Sequence, residues 1–201
     1  ANPALHVSMR DQFVPSFSYT YTYASSPRHR NPVWLQFSLK EAGNITSAIY
    51  AACGQPFGKQ DKNLFGNPFA QFVKFTAEHR RTFRLNQSLS LASRVFAGVV
   101  CSYGNSQAAP YAEQFYVGGA NSIRAFTVRS IGPGSYKPSS SRYTYTDQQG
   151  AVRLEANVEL RARLIRALCG EVFLDASNDL LLHPDPNRPD TQLPVSPMRH
   201  N

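Results

Sequence analysis

Arg153-Leu154-Glu155-Ala156-Asn157-Val158-Glu159-Leu160-Arg161-Ala162-Arg163-Leu164 reads with a polar residue at every odd position and an apolar one at every even position. Side chains alternate between the two faces of a β-strand, whereas a helix repeats every 3.6 residues and would scatter both sets around its circumference. The stretch is therefore a strand with two unlike faces. One carries Arg153, Glu155, Asn157, Glu159, Arg161 and Arg163; the other carries Leu154, Ala156, Val158, Leu160, Ala162 and Leu164.

Working outward, the same period of two recurs. Phe17, Tyr19, Tyr21 and Tyr23 alternate with Ser18, Thr20 and Thr22, and Val33, Leu35, Phe37 and Leu39 with Gln36, Ser38 and Lys40. Phe69, Val73, Phe75 and Ala77 oppose Lys74, Thr76, Glu78 and Arg80, with Gln71 breaking the apolar row. Leu89, Leu91, Val95, Ala97 and Val99 oppose Ser88, Ser90, Arg94 and Ser102, and Val172, Leu174 and Ala176 oppose Glu171, Asp175 and Ser177. These runs predict about six strands, many near the roughly 9–11 residues that a tilted strand needs to cross a bilayer.

The connections alternate as well. They are short around 24–32, 80–87 and 166–170 and long over 42–67 and 104–150, so the long ones fall on one side of the sheet. Short turns at one end and long loops at the other are the pattern of an up-and-down outer-membrane barrel. A short helix is expected over Thr46–Ala52 within the first long loop, and the Pro- and Asp-rich stretch from Leu182 onward is expected to start another long loop on that side. The competing architecture is a soluble β-sandwich, whose strands also alternate. Strand length, Tyr rows near strand ends and the crowding of Arg with Glu on one face favour the barrel. Six strands cannot close a bacterial barrel, whose smallest members have about eight. The expectation is therefore an all-β chain forming part of a transmembrane antiparallel up-and-down β-barrel.

Composition narrows the function classes. The 201 residues include 21 Lys+Arg against 13 Asp+Glu, a formal net charge of +8. Basic residues are spread over strands and turns without a basic helix or RNA-binding signature, so no nucleic-acid partner is expected. Thirteen Phe and ten Tyr argue against disorder. Cys53, Cys101 and Cys169 are widely spaced, with no CxxC pair and no adjacent His, so no metal or other cofactor is expected; they read as three small apolar residues. Carboxylates occur without a Ser/His/Asp or Cys/His constellation, and the five histidines are scattered, so the chain reads as a non-enzyme.

Between the fourth and fifth strands lies Gln114-Phe115-Tyr116-Val117-Gly118-Gly119-Ala120-Asn121-Ser122-Ile123-Arg124-Ala125-Phe126, followed by Arg129-Ser130-Ile131-Gly132-Pro133-Gly134-Ser135-Tyr136. The Gly118-Gly119 doublet and the Gly132-Pro133-Gly134 bracket permit tight turns, so the piece between them is expected to fold back as a compact hairpin with Arg124 near its tip. This phrase resembles the sixth extracellular loop of the BamA/TamA-type outer-membrane assembly superfamily, which includes two-partner-secretion transporters. It looks most like the Bacteroidetes TamA-like and BamA-like members. The resemblance extends weakly to Asp11-Gln12-Phe13 and to Leu64-Phe65-Gly66-Asn67-Pro68-Phe69, and so to most of the chain, up to about residue 188.

That resemblance implies a loop, about 104–150, lying in the barrel lumen, with residues 1–201 part of a C-terminal barrel domain and no periplasmic domains in the chain. It implies a site formed by Gly118, Gly119, Ile123, Arg124, Ala125 and Phe126, with Arg124 paired to carboxylates on the next two strands. Glu159 and Asp175 match the family's spacing, and Glu155 competes on the same strand face. Where the family has Gly after the arginine, this chain has Ala125, which would be strained at positive φ. The implied role is folding and inserting β-barrel proteins into the bacterial outer membrane. The implied partners are nascent barrel proteins, outer-membrane lipid or lipopolysaccharide, accessory lipoproteins and periplasmic domains. The alternatives are a passive porin-like channel and a soluble sandwich that binds a partner.

Overall fold

The alternation is realised as hydrogen-bonded strands in the computed structural model, which describes residues 11–60, 62–135, 148–165, 168–182 and 191. In chain order these are β1 (Ser16–Ala24), β2 (Val33–Ala42), α1 (Asn44–Ala52), the two-residue strands β3 (Asn63–Leu64) and β4 (Asn67–Pro68), β5 (Phe72–Arg84) and β6 (Leu89–Ser102). A 3-10 turn at Tyr111–Glu113 precedes β7 (Val152–Ile165) and β8 (Leu168–Leu180). Six strands form one sheet in the order β1-β2-β5-β6-β7-β8, and β3 pairs with β4 apart from it. Neighbours in space are thus neighbours in sequence, the up-and-down topology that short alternating turns require. Among the described residues the sheet is open, with β1 and β8 at its ends. No described helix is long and apolar enough to cross a membrane, which leaves crossing by strands untouched.

Register sets the faces. Tyr19 pairs with Leu39 and Leu39 with Phe75; Tyr21 pairs with Phe37 and Phe37 with Ala77. Across β7 and β8, Val158 pairs with Leu174 and Leu160 with Val172 on one face, while Asn157 pairs with Asp175 and Glu159 with Phe173 on the other. Exposure then runs opposite to that of a water-soluble sheet. Val158 is 40% and Leu174 74% exposed, whereas Glu155 retains 3% and Glu159 8%. Phe17, Tyr19, Tyr21 and Tyr23 are also exposed. A sandwich buries its apolar faces and wets its polar ones. Here the polar face is the covered one, as in a strand whose apolar side meets hydrocarbon.

Contacts divide the chain into two compact units, Ala1–Arg81 with Gly98–Gln114 and Thr82–Ala97 with Phe115–Asn201. The first buries Ala42, Phe69, Ala70, Phe72 and Val100. Its helix α1 begins two residues before the expected Thr46, after Gly43, whose φ of +73° and position against the Ala70 carbonyl leave no room for a Cβ. Gln71, the break in the apolar row, lies before β5, which starts only at Phe72. It is fully buried as a polar hub. Its Oε1 accepts from Ser47 Oγ at 2.9 Å and from the Asn105 backbone N–H at 3.0 Å, and its own N–H donates to Ser106 Oγ at 2.8 Å. The side chain thus fastens the connections rather than the sheet. Lys62 Nζ extends the hub, donating to Ser47 Oγ at 2.9 Å and the Phe57 carbonyl at 2.6 Å.

All three cysteines are free and exposed, so none of these small residues fills the core. Cys101 is exposed although Val100 beside it is buried, because successive side chains of a strand point to opposite faces. The expected long loop after Leu182 lies outside the described residues, apart from Thr191, whose carbonyl accepts from the Leu181 N–H.

Candidate functional site

The site belongs to the second unit and is built on β7, β8 and the loop before them. Gly118 has φ +104° and Gly119 φ +94°. A Cβ at Gly118 would stand 2.1 Å from the Thr127 carbonyl oxygen, so the chain can double back there only without a side chain. The hairpin is closed by the Gly119 N–H donating to the Phe126 carbonyl at 2.9 Å and the Arg129 N–H donating to the Val117 carbonyl at 2.9 Å. Ile123 accepts from the Phe126 N–H at 3.2 Å, turning the tip and leaving Arg124 to project from it. Among described non-glycine residues positive φ occurs at Phe65 and Arg129, so Ala125 carries no such strain. Phe126 is exposed. At the other end of the loop, Pro133 is fully buried and the Gly134 N–H donates to the Asp179 carbonyl at 2.7 Å; Tyr136 lies outside the described residues.

Because β7 and β8 are paired in register, Glu159, Phe173, Asp175 and Asn157 form a four-cornered patch on one face. The Arg124 guanidinium sits over it. Its Nη2 donates to Glu159 Oε2 at 2.7 Å, its Nε lies 3.6 Å from Asp175 Oδ2, and its carbon stands 4.1 Å from the centre of the Phe173 ring. The Arg124 backbone N–H also points to Asp175 Oδ2 at 3.3 Å. A planar cation thus meets two carboxylates at its edge and an aromatic ring at its face, a combination that ammonium cannot match. The hydrogen bond to Glu159 raises the Arg124 pKa above its already high ordinary value, against the smaller opposing effect of burial and with the Asp175 charge adding to the rise. Arg161 balances Glu159 from the same strand at 2.5 Å.

Glu155 does not pair with Arg124. It accepts from Arg94 Nη1, from Arg153 Nη2 and from Ser122 Oγ, the last at 2.8 Å. Arg94 Nη1 also donates to the Asn121 carbonyl at 2.8 Å. Glu155 pairs with Ser177 and so lies four strand residues further from Phe173 than Glu159 does, and the loop reaches it through Ser122 rather than Arg124. Asn157 joins the two clusters, its Nδ2 donating to the Ser122 carbonyl at 3.0 Å and to Asp175 Oδ1 at 2.9 Å.

Sequence reasoning missed Phe173, Asn157, Ser122 and Arg94. Phe173 alone left a signal, as an aromatic residue at a polar-face position between Glu171 and Asp175. Such a break in alternation marks a side chain with something to pack against. Among the described residues no three metal-ligating groups converge. What the arrangement can do is hold: it fastens one loop tip to two strands through three carboxylates.

The first unit holds the same long loop at an earlier point. Lys40 and Lys74 stand directly opposite each other on β2 and β5, a repulsive pairing unless an anion intervenes. Glu113 supplies it, with Oε1 2.5 Å from Lys40 Nζ and Oε2 3.3 Å from Lys74 Nζ. Burial pushes the Glu113 pKa up, but the Lys40 hydrogen bond and the two lysine charges outweigh it and hold it below the ordinary carboxylate value. A carboxyl lowered on folding contributes fully above its unfolded pKa and loses that contribution as pH falls through its folded one. The anchor is therefore expected to persist at neutral pH and release only in acid below the usual carboxylate range. Glu113→Gln at neutral pH should mimic the acid form, costing on the order of 1 kcal/mol. Hydrogen exchange of Tyr111–Glu113 should then rise several-fold with β7 and β8 unchanged; equal protection in variant and parent would contradict the anchor.

A family model described as the Omp85 superfamily domain matches residues 46–193 of this chain. No curated protein matches it.

Proposed function

The chain belongs to the Omp85 superfamily, and from that premise we propose that it is barrel wall and loop of a factor that folds and inserts β-barrel proteins into the bacterial outer membrane. The observation that carries the reading is Arg124, held by Glu159 and Asp175 at the tip of a loop laid over the polar face of strands whose apolar face is exposed. A strand sheet with hydrocarbon on one side and a fastened loop on the other is a wall with a plug, not an open pore. Nascent barrel proteins are its clients, and outer-membrane lipid or lipopolysaccharide lies against its apolar face. Accessory lipoproteins and periplasmic domains complete the machinery in this reading.

The physical basis of insertion is edge chemistry. A barrel whose first and last strands pair weakly can open and offer unpaired N–H and C=O groups to an incoming strand, which adds by β-augmentation. In hydrocarbon each such group costs several kcal/mol if left unmade, so a templating edge lowers the barrier to forming a new strand. The loop's part is to stay in place while the wall opens, and Arg124 is the residue that keeps it there.

The test is Arg124→Ala in the full-length protein, with Arg124→Lys beside it. Alanine leaves Glu159 and Asp175 without their shared cation, and lysine restores charge without the fork or the stacking over Phe173. Folded client barrels in the outer membrane should fall several-fold with alanine and be rescued only in part by lysine, while the segment 115–135 becomes protease-sensitive. Unchanged client assembly together with an unchanged protease pattern would sink the proposal. Steady ionic conductance by the parent protein would favour a channel instead.

A further inference from the structure

Phe65 and Gly66 form the two-residue tip of the β3–β4 hairpin, closed by the pairing of Leu64 with Asn67. Their φ values are +52° and +87°, the doubly left-handed turn in which Asn, Asp or Gly is favoured at the first position. A phenylalanine there is strained, and its ring is 87% exposed. The strain is not relieved by looseness. The hairpin is fixed by the Tyr50 hydroxyl donating to the Asn63 carbonyl, by the Phe13 N–H donating to the Pro68 carbonyl at 2.9 Å, and by the Ala70 N–H donating to the Phe13 carbonyl at 2.7 Å. The fold thus holds a large apolar ring outward, in a backbone conformation that a small polar residue would adopt more readily.

The ring's aromatic neighbour among the described residues indicates what it faces. Phe13, itself exposed, packs edge-on against Phe65 with centroids 6.1 Å apart. Phe13 leads into β1, whose exposed row Phe17, Tyr19, Tyr21 and Tyr23 belongs to the apolar face of the sheet. From Tyr23 to Phe13 is ten residues; at about 3.3 Å per residue and a tilt of about 40° this spans about 25 Å, the height of the apolar band of an outer-membrane barrel. The row Phe17 to Tyr23 alone falls well short of that height. Phe13 and Phe65 stand where the second aromatic belt belongs, at the long-loop end that such barrels turn outward.

We propose that the β3–β4 hairpin is a lipid-contacting foot, with Phe65 and Phe13 seated at the headgroup boundary of the outer leaflet. The proposal rests on the membrane reading of the sheet's apolar face. The occupant is a lipid surface because Phe13 leads directly into the strand that carries that face, and because the rings stand beside the exposed amides Asn63 and Asn67, groups that suit a half-wet boundary.

The experiment uses the full-length protein in phosphatidylcholine vesicles, with Trp34, the sole tryptophan of this sequence, replaced by Phe. Phe65→Trp and Tyr21→Trp are made separately in that background. Emission from the Phe65→Trp variant should be quenched several-fold more by phosphatidylcholine brominated near the headgroup than by lipid brominated deep in the chains, and be shielded from iodide. The Tyr21→Trp variant should show the reverse depth preference. If Phe65→Trp is quenched by iodide alone while Tyr21→Trp responds to brominated lipid, the foot is overturned and the membrane reading stands. If neither responds to brominated lipid, both fall. Phe65→Asn gives a second check without a probe: it relieves the turn, yet should lower the urea midpoint in vesicles, and a raised midpoint would overturn the foot.

Discussion

Arginine at Val158 or Leu174 is expected to destabilise the full-length protein in a bilayer by about 2–4 kcal/mol, because each position is near the middle of its strand and faces hydrocarbon. The two residues are paired across β7 and β8 and are among the exposed members of the apolar face. In water the same substitutions would add charge to an already exposed site and change stability by about 0.5 kcal/mol or less. The sign and size of the effect therefore report the solvent. Urea unfolding from vesicles measures it, with Ala162→Arg as a shallower comparison on the same face near the turn end of β7. A graded loss, largest at Val158 and Leu174, is the expected result; a flat response near zero would return the soluble sandwich.

Removing Glu155 is expected to be the most damaging change on the opposite face. Its carboxylate is completely covered and receives Arg94, Arg153 and Ser122. Glu155→Ala leaves two guanidiniums facing each other without their anion, at a cost of about 3 kcal/mol by analogy with other broken buried pairs. Glu155→Gln keeps the shape and an acceptor, and should recover part of the loss. Because Asn157 connects this cluster to Asp175, Glu155→Ala and Arg124→Ala should be non-additive in a double-mutant cycle. Strict additivity would mean that two separate fasteners hold the loop. Protease protection of 115–135 and thermal unfolding supply the two measurements.

Much of this was legible from residues alone, for a local reason. The alternation from Arg153 to Leu164 expresses the two-residue period of a strand and needs no partner to be read. Connection lengths follow the same logic, since a short link between two such strands leaves antiparallel pairing as the economical arrangement. The glycine pair is legible too, because Gly118 occupies a conformation and a space that exclude other residues. Gln71 was visible only as an irregularity. Its use as a hub depends on Ser47, Asn105 and Ser106, which are far from it in sequence.

By itself the sequence determined that the chain makes about six two-faced strands in an up-and-down order, and that the segment around Gly118-Gly119 doubles back to present Arg124. Only the tertiary structure decided which face is covered, and which carboxylate takes which arginine. Glu155 and Glu159 lie on one face of one strand, four residues apart, so periodicity cannot distinguish them. The choice rests on the register that sets Phe173 opposite Glu159 and on where the loop tip lands. Both are long-range facts, fixed by hydrogen bonds and charges between residues that the period of a single strand does not bring together, so the pairing of Arg124 with Glu159 was legible only through the loop's family resemblance.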